Sequence, residues 1–163
     1  MNLLRKCSFI LLALALVVTL AACTSNGSTT GNSNSGGAVA DGSLSIPTAE
    51  ISNNAKFYPV NVDGTNMEVV AVKASDGSIR TAFNTCQVCN GSPMAYFVQK
   101  GNTVECQNCG NQFPMDRVGI TAGGCNPVPV PESGKTTTGD TITISYETLA
   151  AAKPLFKVWK EVK

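Results

Sequence analysis

Two Cys-x-x-Cys pairs with a fifth cysteine behind them constrain this chain more than any other feature of its sequence. Cys86 and Cys89 form the first pair, Cys106 and Cys109 form the second, and Cys125 follows. In a Cys-x-x-Cys segment the chain turns back so that both sulfurs face one ion, while backbone N–H groups point at the sulfurs and stabilise the thiolates. Two such pairs at this separation predict a tetrahedral site of four sulfurs, suited to zinc, a single iron or an iron–sulfur cluster.

The chain contains no histidine, and this excludes many functions. Ser-His-Asp and Cys-His catalysis, histidine-bound zinc and the two-histidine Rieske iron are all ruled out. No other grouping of an acid, a base and a nucleophile stands out, so we expect no enzyme and name no catalytic residue. Lys and Arg number 12 against 11 Asp and Glu, and a net charge of +1 gives no electrostatic reason to bind nucleic acid.

The first residues predict export and a lipid anchor. Arg5 and Lys6 precede an apolar run over residues 9–20 that is too short to span a membrane. The run leads into Leu20-Ala21-Ala22-Cys23, which resembles a bacterial lipobox. The resemblance implies that residues 1–22 are a signal peptide and that Cys23 is acylated, which would anchor the protein in membrane lipid on the extracytoplasmic face of the cell membrane. An ordinary secretory signal with a chance cysteine is the alternative.

Residues 23–43 are predicted to be a tether. They are mostly Ser, Thr, Asn and Gly, and Asp41 is the one charged residue among them. Such a segment has little apolar surface to bury and behaves as a flexible spacer.

Residues 44–163 are predicted to form one domain that is mostly β with one short helix. Asp76-Gly77 indicates one hairpin, and Lys100-Gly101-Asn102 indicates another that would bring the two cysteine pairs together. A helix is predicted over residues 146–153, with Ser145 as its N-cap and Pro154 as its stop. The alternating prolines of residues 127–131 predict a rigid, extended loop.

The region around the cysteines resembles known iron–sulfur families. Residues 106–113, followed by Gly123-Gly124 and the prolines, look like the second half of a Rieske site with cysteine in place of histidine. The wider stretch, from Asp76-Gly77-Ser78 through Phe113-Pro114 to Gly123-Gly124-Cys125-Asn126-Pro127, resembles the FtrD-like membrane iron–sulfur proteins, a family formerly catalogued as a domain of unknown function. This resemblance covers about residues 44–160.

The FtrD-like resemblance implies a small Rieske-like or ribbon-like β domain that binds an iron–sulfur cluster or a single iron. Cys86, Cys89, Cys106 and Cys109 match the paired ligands of the family, and Cys125 matches its fifth cysteine, which could replace one ligand or be a nearby redox thiol. The family's link with ferrous-iron uptake implies electron transfer or metal handling beside a membrane iron permease or a redox partner.

Two other functions stay open. Arg5-Lys6 is not a twin arginine, so the chain is expected to cross the membrane unfolded, and a cluster assembled in the cytosol would not travel with it. Zinc bound after export would instead make a structural interaction module. In an oxidising compartment the cysteine pairs could also form disulfides, which would make the chain a thiol–disulfide redox protein. Pairing among the five cysteines would, however, leave one free thiol.

The lipobox generates a direct test. Cys23→Ser should leave the protein unprocessed or move it from the membrane fraction to the soluble fraction, because the acceptor sulfur for the acyl chains is gone. Membrane fractionation and acyl labelling measure this, and Cys7→Ser, inside the predicted signal peptide, is the matched control. Unchanged membrane attachment and acyl labelling of the Cys23 variant would contradict the lipobox.

Overall fold

The computed structural model describes residues 37–161 of the 163-residue chain. The predicted signal peptide 1–22, the predicted acylation site Cys23 and most of the predicted tether lie outside the described residues. Among residues 37–161, no helix has both the length and the apolar character needed to cross a membrane.

The described residues form three antiparallel sheets and one short α-helix, which confirms the predicted mostly-β class. The strands are β1 Ala38–Ala40, β2 Ser43–Pro47, β3 Lys56–Val62, β4 Thr65–Lys73, β5 Ile79–Cys86, β6 Phe97–Lys100, β7 Thr103–Cys106, β8 Gln112–Pro114, β9 Pro127–Pro129, β10 Lys135–Thr138 and β11 Thr141–Ile144, and the helix α1 is Tyr146–Ala152. The strand orders are β1-β2-β11-β10, β3-β4-β5-β9 and β6-β7-β8.

Strand β4 lies at the centre of the fold because it is buried on both faces. Val69 and Ala71 face a core that also contains residues of β2, β11 and α1. Val70 and Val72 face a second core, which contains residues of β6 and β7 and two of the cysteines. Side chains alternate between the faces of a strand, so a continuous apolar run can serve two cores at once. The β3-β4-β5-β9 sheet therefore has one core on each side.

Both predicted hairpins are present, and so is a third at Asp63-Gly64. Strands β4 and β5 pair across the Asp76-Gly77 turn, and β6 and β7 pair across Gly101. At the turn between β3 and β4, Asp63 and Gly64 have φ angles of 47° and 83°. Two consecutive positive φ angles match the right-handed twist of the paired strands, which makes this the favoured two-residue hairpin turn.

The first strand of the β1-β2-β11-β10 sheet lies inside the segment that the sequence assigns to the tether. Ala38–Ala40 forms β1, which pairs with β2 in the register Ala38 with Ser45. A backbone ladder needs no apolar side chains, so composition alone does not reveal such a strand. The ladder thus starts before the predicted domain boundary at residue 44.

The proline run forms a strand rather than the predicted loop. Pro127–Pro129 is β9, and it pairs with β5 in the register Ala82 with Pro129, Phe83 with Val128 and Cys86 with Pro127. Proline lacks an N–H donor, so it is tolerated at the edge of a sheet, and β9 is an edge strand. The pairing therefore places Cys125, two residues before Pro127, close to Cys86.

The helix begins at the predicted residue, but helical structure continues past Pro154 instead of ending there. Ser145 is the N-cap, because its Oγ accepts the N–H of Thr148 at 3.3 Å. The α-helix ends at Ala152, and a 3-10 helix, Lys153–Phe156, follows directly. Pro154 lies in the first turn of that new helix, where a missing N–H costs nothing.

Asn84, on β5, joins two of the sheets through its buried side chain. Its Oδ1 accepts the backbone N–H of Phe97 at 2.8 Å, and its Nδ2 donates to Glu68 Oε1 at 2.7 Å and to the Phe97 carbonyl at 3.2 Å. The Asn84 carbonyl accepts the indole N–H of Trp159 at 2.7 Å. This residue therefore ties β6 and the C-terminal segment to β5, two positions before Cys86.

Asn84→Ala should destabilise the domain by about 3 kcal/mol, because each buried group left without a partner costs about 1–3 kcal/mol. Urea unfolding monitored by tryptophan fluorescence measures the change. Asn66→Ala removes an exposed side-chain hydrogen bond with Asn61 and is the control, with a change of at most about 0.5 kcal/mol. Equal effects of the two substitutions would contradict the role given to Asn84.

Candidate metal centre

The cysteines meet because the ends of three strands converge. Cys86 is the last residue of β5, and Cys106 is the last residue of β7. Cys125 lies two residues before Pro127, which is opposite Cys86 in the β5–β9 ladder. The Cys86 N–H also donates to the Ala95 carbonyl at 2.9 Å, so the end of β5 is held to the segment that leads into β6. Each cysteine segment is thus anchored by sheet hydrogen bonds.

Four sulfurs form a compact set. The Sγ atoms of Cys86, Cys89, Cys106 and Cys125 all lie within 4.8 Å of one another. A tetrahedral ion with metal–sulfur bonds of about 2.3 Å has sulfurs about 3.8 Å apart. Thiolates bound to two different irons of a cluster are further apart than the edge of one such tetrahedron. The observed spacing therefore fits a single ion bound by four sulfurs.

Cys109 lies beside this set rather than within it. Its Sγ is 3.0 Å from Cys125 Sγ, which in turn is 3.4 Å from Cys86 Sγ. Cys86 and Cys106 are fully buried, Cys89 and Cys125 are partly buried, and Cys109 is exposed. All five predicted site residues therefore meet in one place, and Cys125 is inside the compact set. Which four of them bind an ion stays a prediction.

Both Cys-x-x-Cys segments have the turn geometry that their spacing predicted. In the first segment the Cys89 N–H donates to Cys86 Sγ at 3.4 Å. The Gly110 N–H closes the second turn on the Cys106 carbonyl at 2.8 Å, with a φ of 72° at Gly110. Peptide N–H groups aimed at sulfur stabilise the thiolate form that binds metal.

The cysteines titrate very differently in the absence of an ion. A hydrogen bond from the Cys125 thiol, helped by the backbone N–H of Asn111, lowers the pKa of Cys109 to about 7. Burial is the main cause that raises the pKa of Cys89 to about 12, and burial also raises the pKa of Cys125. Negative charge is therefore favoured at the exposed sulfur of Cys109, whereas burial disfavours it at Cys89, Cys106 and Cys125.

Several amides that support the site were missed by the sequence analysis. Gln87 Oε1 accepts the N–H of Gly123 at 2.7 Å, and the Gln87 N–H donates to the Asn126 carbonyl at 3.1 Å. Ser92 Oγ donates to Asn108 Oδ1 at 2.7 Å. The first two bonds hold the 120–126 segment on the first cysteine turn, and the third joins the two turns. No local signal marks these residues, because their partners are distant in the chain.

Comparison with known proteins gives one finding. A family model described as "Membrane iron-sulfur containing protein FtrD-like" matches residues 51–156, well over half of the chain and all five clustered cysteines. Neither the curated proteins nor the solved structures gave a match.

The charge distribution predicts which thiol reacts first. In metal-free protein at pH 7.5, iodoacetamide should alkylate Cys109 before the other four, because Cys109 is exposed and mostly thiolate. Its rate should rise with pH and reach half of its maximum near pH 7, since the thiolate forms above its lowered pKa. Peptide mapping by mass spectrometry measures this, with urea-unfolded protein as the control in which all five react alike. An inner cysteine that reacts first would contradict the assigned charges.

Proposed function

Because this chain belongs to the FtrD-like family of membrane iron–sulfur containing proteins, we propose that its cysteines hold an iron centre that transfers electrons or handles metal beside an iron transport system. The observation that carries the proposal is the set of four sulfurs within 4.8 Å of one another, contributed by three separate segments. Packing cysteines have no reason to converge in this way, whereas four thiolates are the donor set of iron and zinc sites.

Each residue of the site has a role in this proposal. Cys86 and Cys106 bind from the buried side, where the second core and the surrounding backbone exclude water. Cys89 and Cys125 complete the four ligands, and the Cys89 N–H, aimed at Cys86 Sγ, balances part of the charge of that sulfur. An iron ion, when bound, supplies a one-electron redox couple. The exposed position of Cys109 leaves one side of the centre open to a partner.

We place the centre outside the cytoplasm, on a lipid anchor. The family is described as a membrane family, and the described residues contain no helix that could span a membrane. Acylation of Cys23, which lies outside the described residues, would supply the attachment through membrane lipid. The partner would then be a membrane iron permease or a redox protein within reach of the tether.

A structural zinc site is the second candidate. The sulfur spacing that fits a single tetrahedral ion suits zinc as well as iron, and zinc needs no assembly machinery after export. The close Cys109–Cys125 contact is the observation that favours the third function, a thiol–disulfide redox protein.

Elemental analysis and visible spectroscopy of protein purified without oxygen separate these functions. We expect iron bound to the parent chain, with absorption from sulfur-to-iron charge transfer, and we expect Cys86→Ser to lose nearly all of it, because a buried thiolate ligand is replaced by a hydroxyl. Val88→Ala, an exposed change inside the same turn, is the control and should keep the metal.

Three results would contradict the iron centre. Colourless parent protein with stoichiometric zinc would favour the structural site. Parent protein without metal, with paired or reactive cysteines, would favour the thiol–disulfide function. A Cys86→Ser variant that keeps its full iron content would show that the centre lies elsewhere.

A further inference from the structure

We propose that Cys109 and Cys125 exchange with each other as the fourth ligand, so that this site loads and releases a single metal ion through Cys109. The inference rests on the metal centre proposed above and adds a transfer function to it. The acceptor or donor outside would itself offer thiolate ligands, either as a small dithiol or as a protein cysteine pair.

The first observation is that five sulfurs compete for four positions. Cys86, Cys89 and Cys106 belong to both possible sets of ligands. Cys125 completes the set that is compact in the structure, and Cys109 completes the set formed by the two Cys-x-x-Cys pairs. The two sets differ by one sulfur.

The second observation is that the two competing sulfurs are in contact. Cys109 Sγ lies 3.0 Å from Cys125 Sγ, and Cys125 Sγ lies 3.4 Å from Cys86 Sγ. Cys109 therefore already touches Cys125, the sulfur that it would replace. To replace Cys125 it needs only a small movement of its side chain, within a turn that ends at Gly110.

The third observation is the gradient of burial along the cluster. Cys86 and Cys106 are fully buried, Cys125 is partly buried, and Cys109 is exposed. A ligand from outside can reach Cys109 directly, whereas it cannot reach the two innermost sulfurs without opening the core. Cys109 is therefore the point at which the inner site and an external thiolate meet.

The exchange is balanced and involves no oxidation. The sulfur of Cys109 forms a bond to the ion as the bond from Cys125 breaks, and the proton that leaves Cys109 is taken up by Cys125. The number of thiolates on the ion and its charge are unchanged. An external thiolate then displaces Cys109 in the same way, and repeated displacement removes the ion from Cys89 and the buried pair.

The test uses the full chain in detergent, loaded without oxygen with Co²⁺ as the probe metal. Sulfur-to-cobalt charge-transfer absorption counts the thiolate ligands and the bound ion, and transfer to an excess of a small dithiol gives the release rate. The variants are Cys109→Ser, Cys125→Ser and the double substitution, each with an alanine counterpart because serine oxygen is a weak ligand. Val88→Ala is the control, and circular dichroism checks the fold of each variant.

We expect each single variant to keep a stoichiometric ion with four thiolates, and the double variant to lose a thiolate ligand and bind weakly. Cys109→Ser should release cobalt about tenfold more slowly than the parent chain, equivalent to about 1.4 kcal/mol on the exchange barrier. The reason is that the external thiol can no longer take the ion from an exposed ligand at position 109. Val88→Ala should release cobalt at the parent rate.

Three results would overturn the exchange while leaving the metal centre intact. Loss of cobalt from Cys125→Ser would show that Cys109 cannot take its place. Loss of cobalt from Cys109→Ser would make Cys109 an obligatory ligand. Release from Cys109→Ser at the parent rate would show that the ion does not leave through it. A parent chain that binds no cobalt would contradict the metal centre itself, and the exchange with it.

Discussion

The rest of this structure depends on five sulfur atoms gathered in one place, four of them within 4.8 Å of one another and the fifth, of Cys109, 3.0 Å from Cys125 Sγ. Neighbouring thiolates repel, and burial penalises their charged form, so they cannot all ionise without a cation. In the metal-free cluster burial raises the pKa of Cys89, Cys106 and Cys125, whereas the pKa of Cys109 falls to about 7, so negative charge is favoured at Cys109. A cation at the centre would remove the repulsion, because it pairs with every sulfur at once. The crowding of the thiols is thus itself an argument for a bound ion.

The fold meets this constraint by building the cluster into one of its two cores. Cys86 and Cys106 are buried in the same cluster as Val70, Phe97 and Val104. Cys86 and Cys106 are the last residues of strands fixed by ladder hydrogen bonds, and the buried side chain of Asn84 holds β6 against β5. The inner sulfurs are therefore as rigid as the core around them. The 120–126 segment and Cys109 form the outer side, where Gln87 holds the 120–126 segment through its side-chain amide and its backbone N–H.

Because the inner side of the centre is rigid and the outer side is open, both proposed functions would use the outer side. An electron or an ion that leaves the centre would leave on the side of Cys109, away from the second core. A lipid anchor followed by a flexible tether would keep the domain within reach of the membrane surface and allow its Cys109 side to turn toward a partner. Electron transfer and metal transfer would therefore use the same exposed face, and the ligand-exchange and metal-content measurements distinguish them.

The sequence by itself determined the features that depend on residues close together in the chain. The Cys-x-x-Cys turns, the hairpins at Asp76-Gly77 and Gly101, and the Ser145 cap are such features, because each is completed within a few residues. Only the tertiary structure decided the position of Cys125, which meets Cys86 across 39 residues. That contact depends on a strand of prolines pairing with β5, and neither local propensity nor spacing predicts such a pairing, since its hydrogen bonds come from a distant part of the chain. The same reason explains β1 and the amide contacts of Asn84 and Gln87.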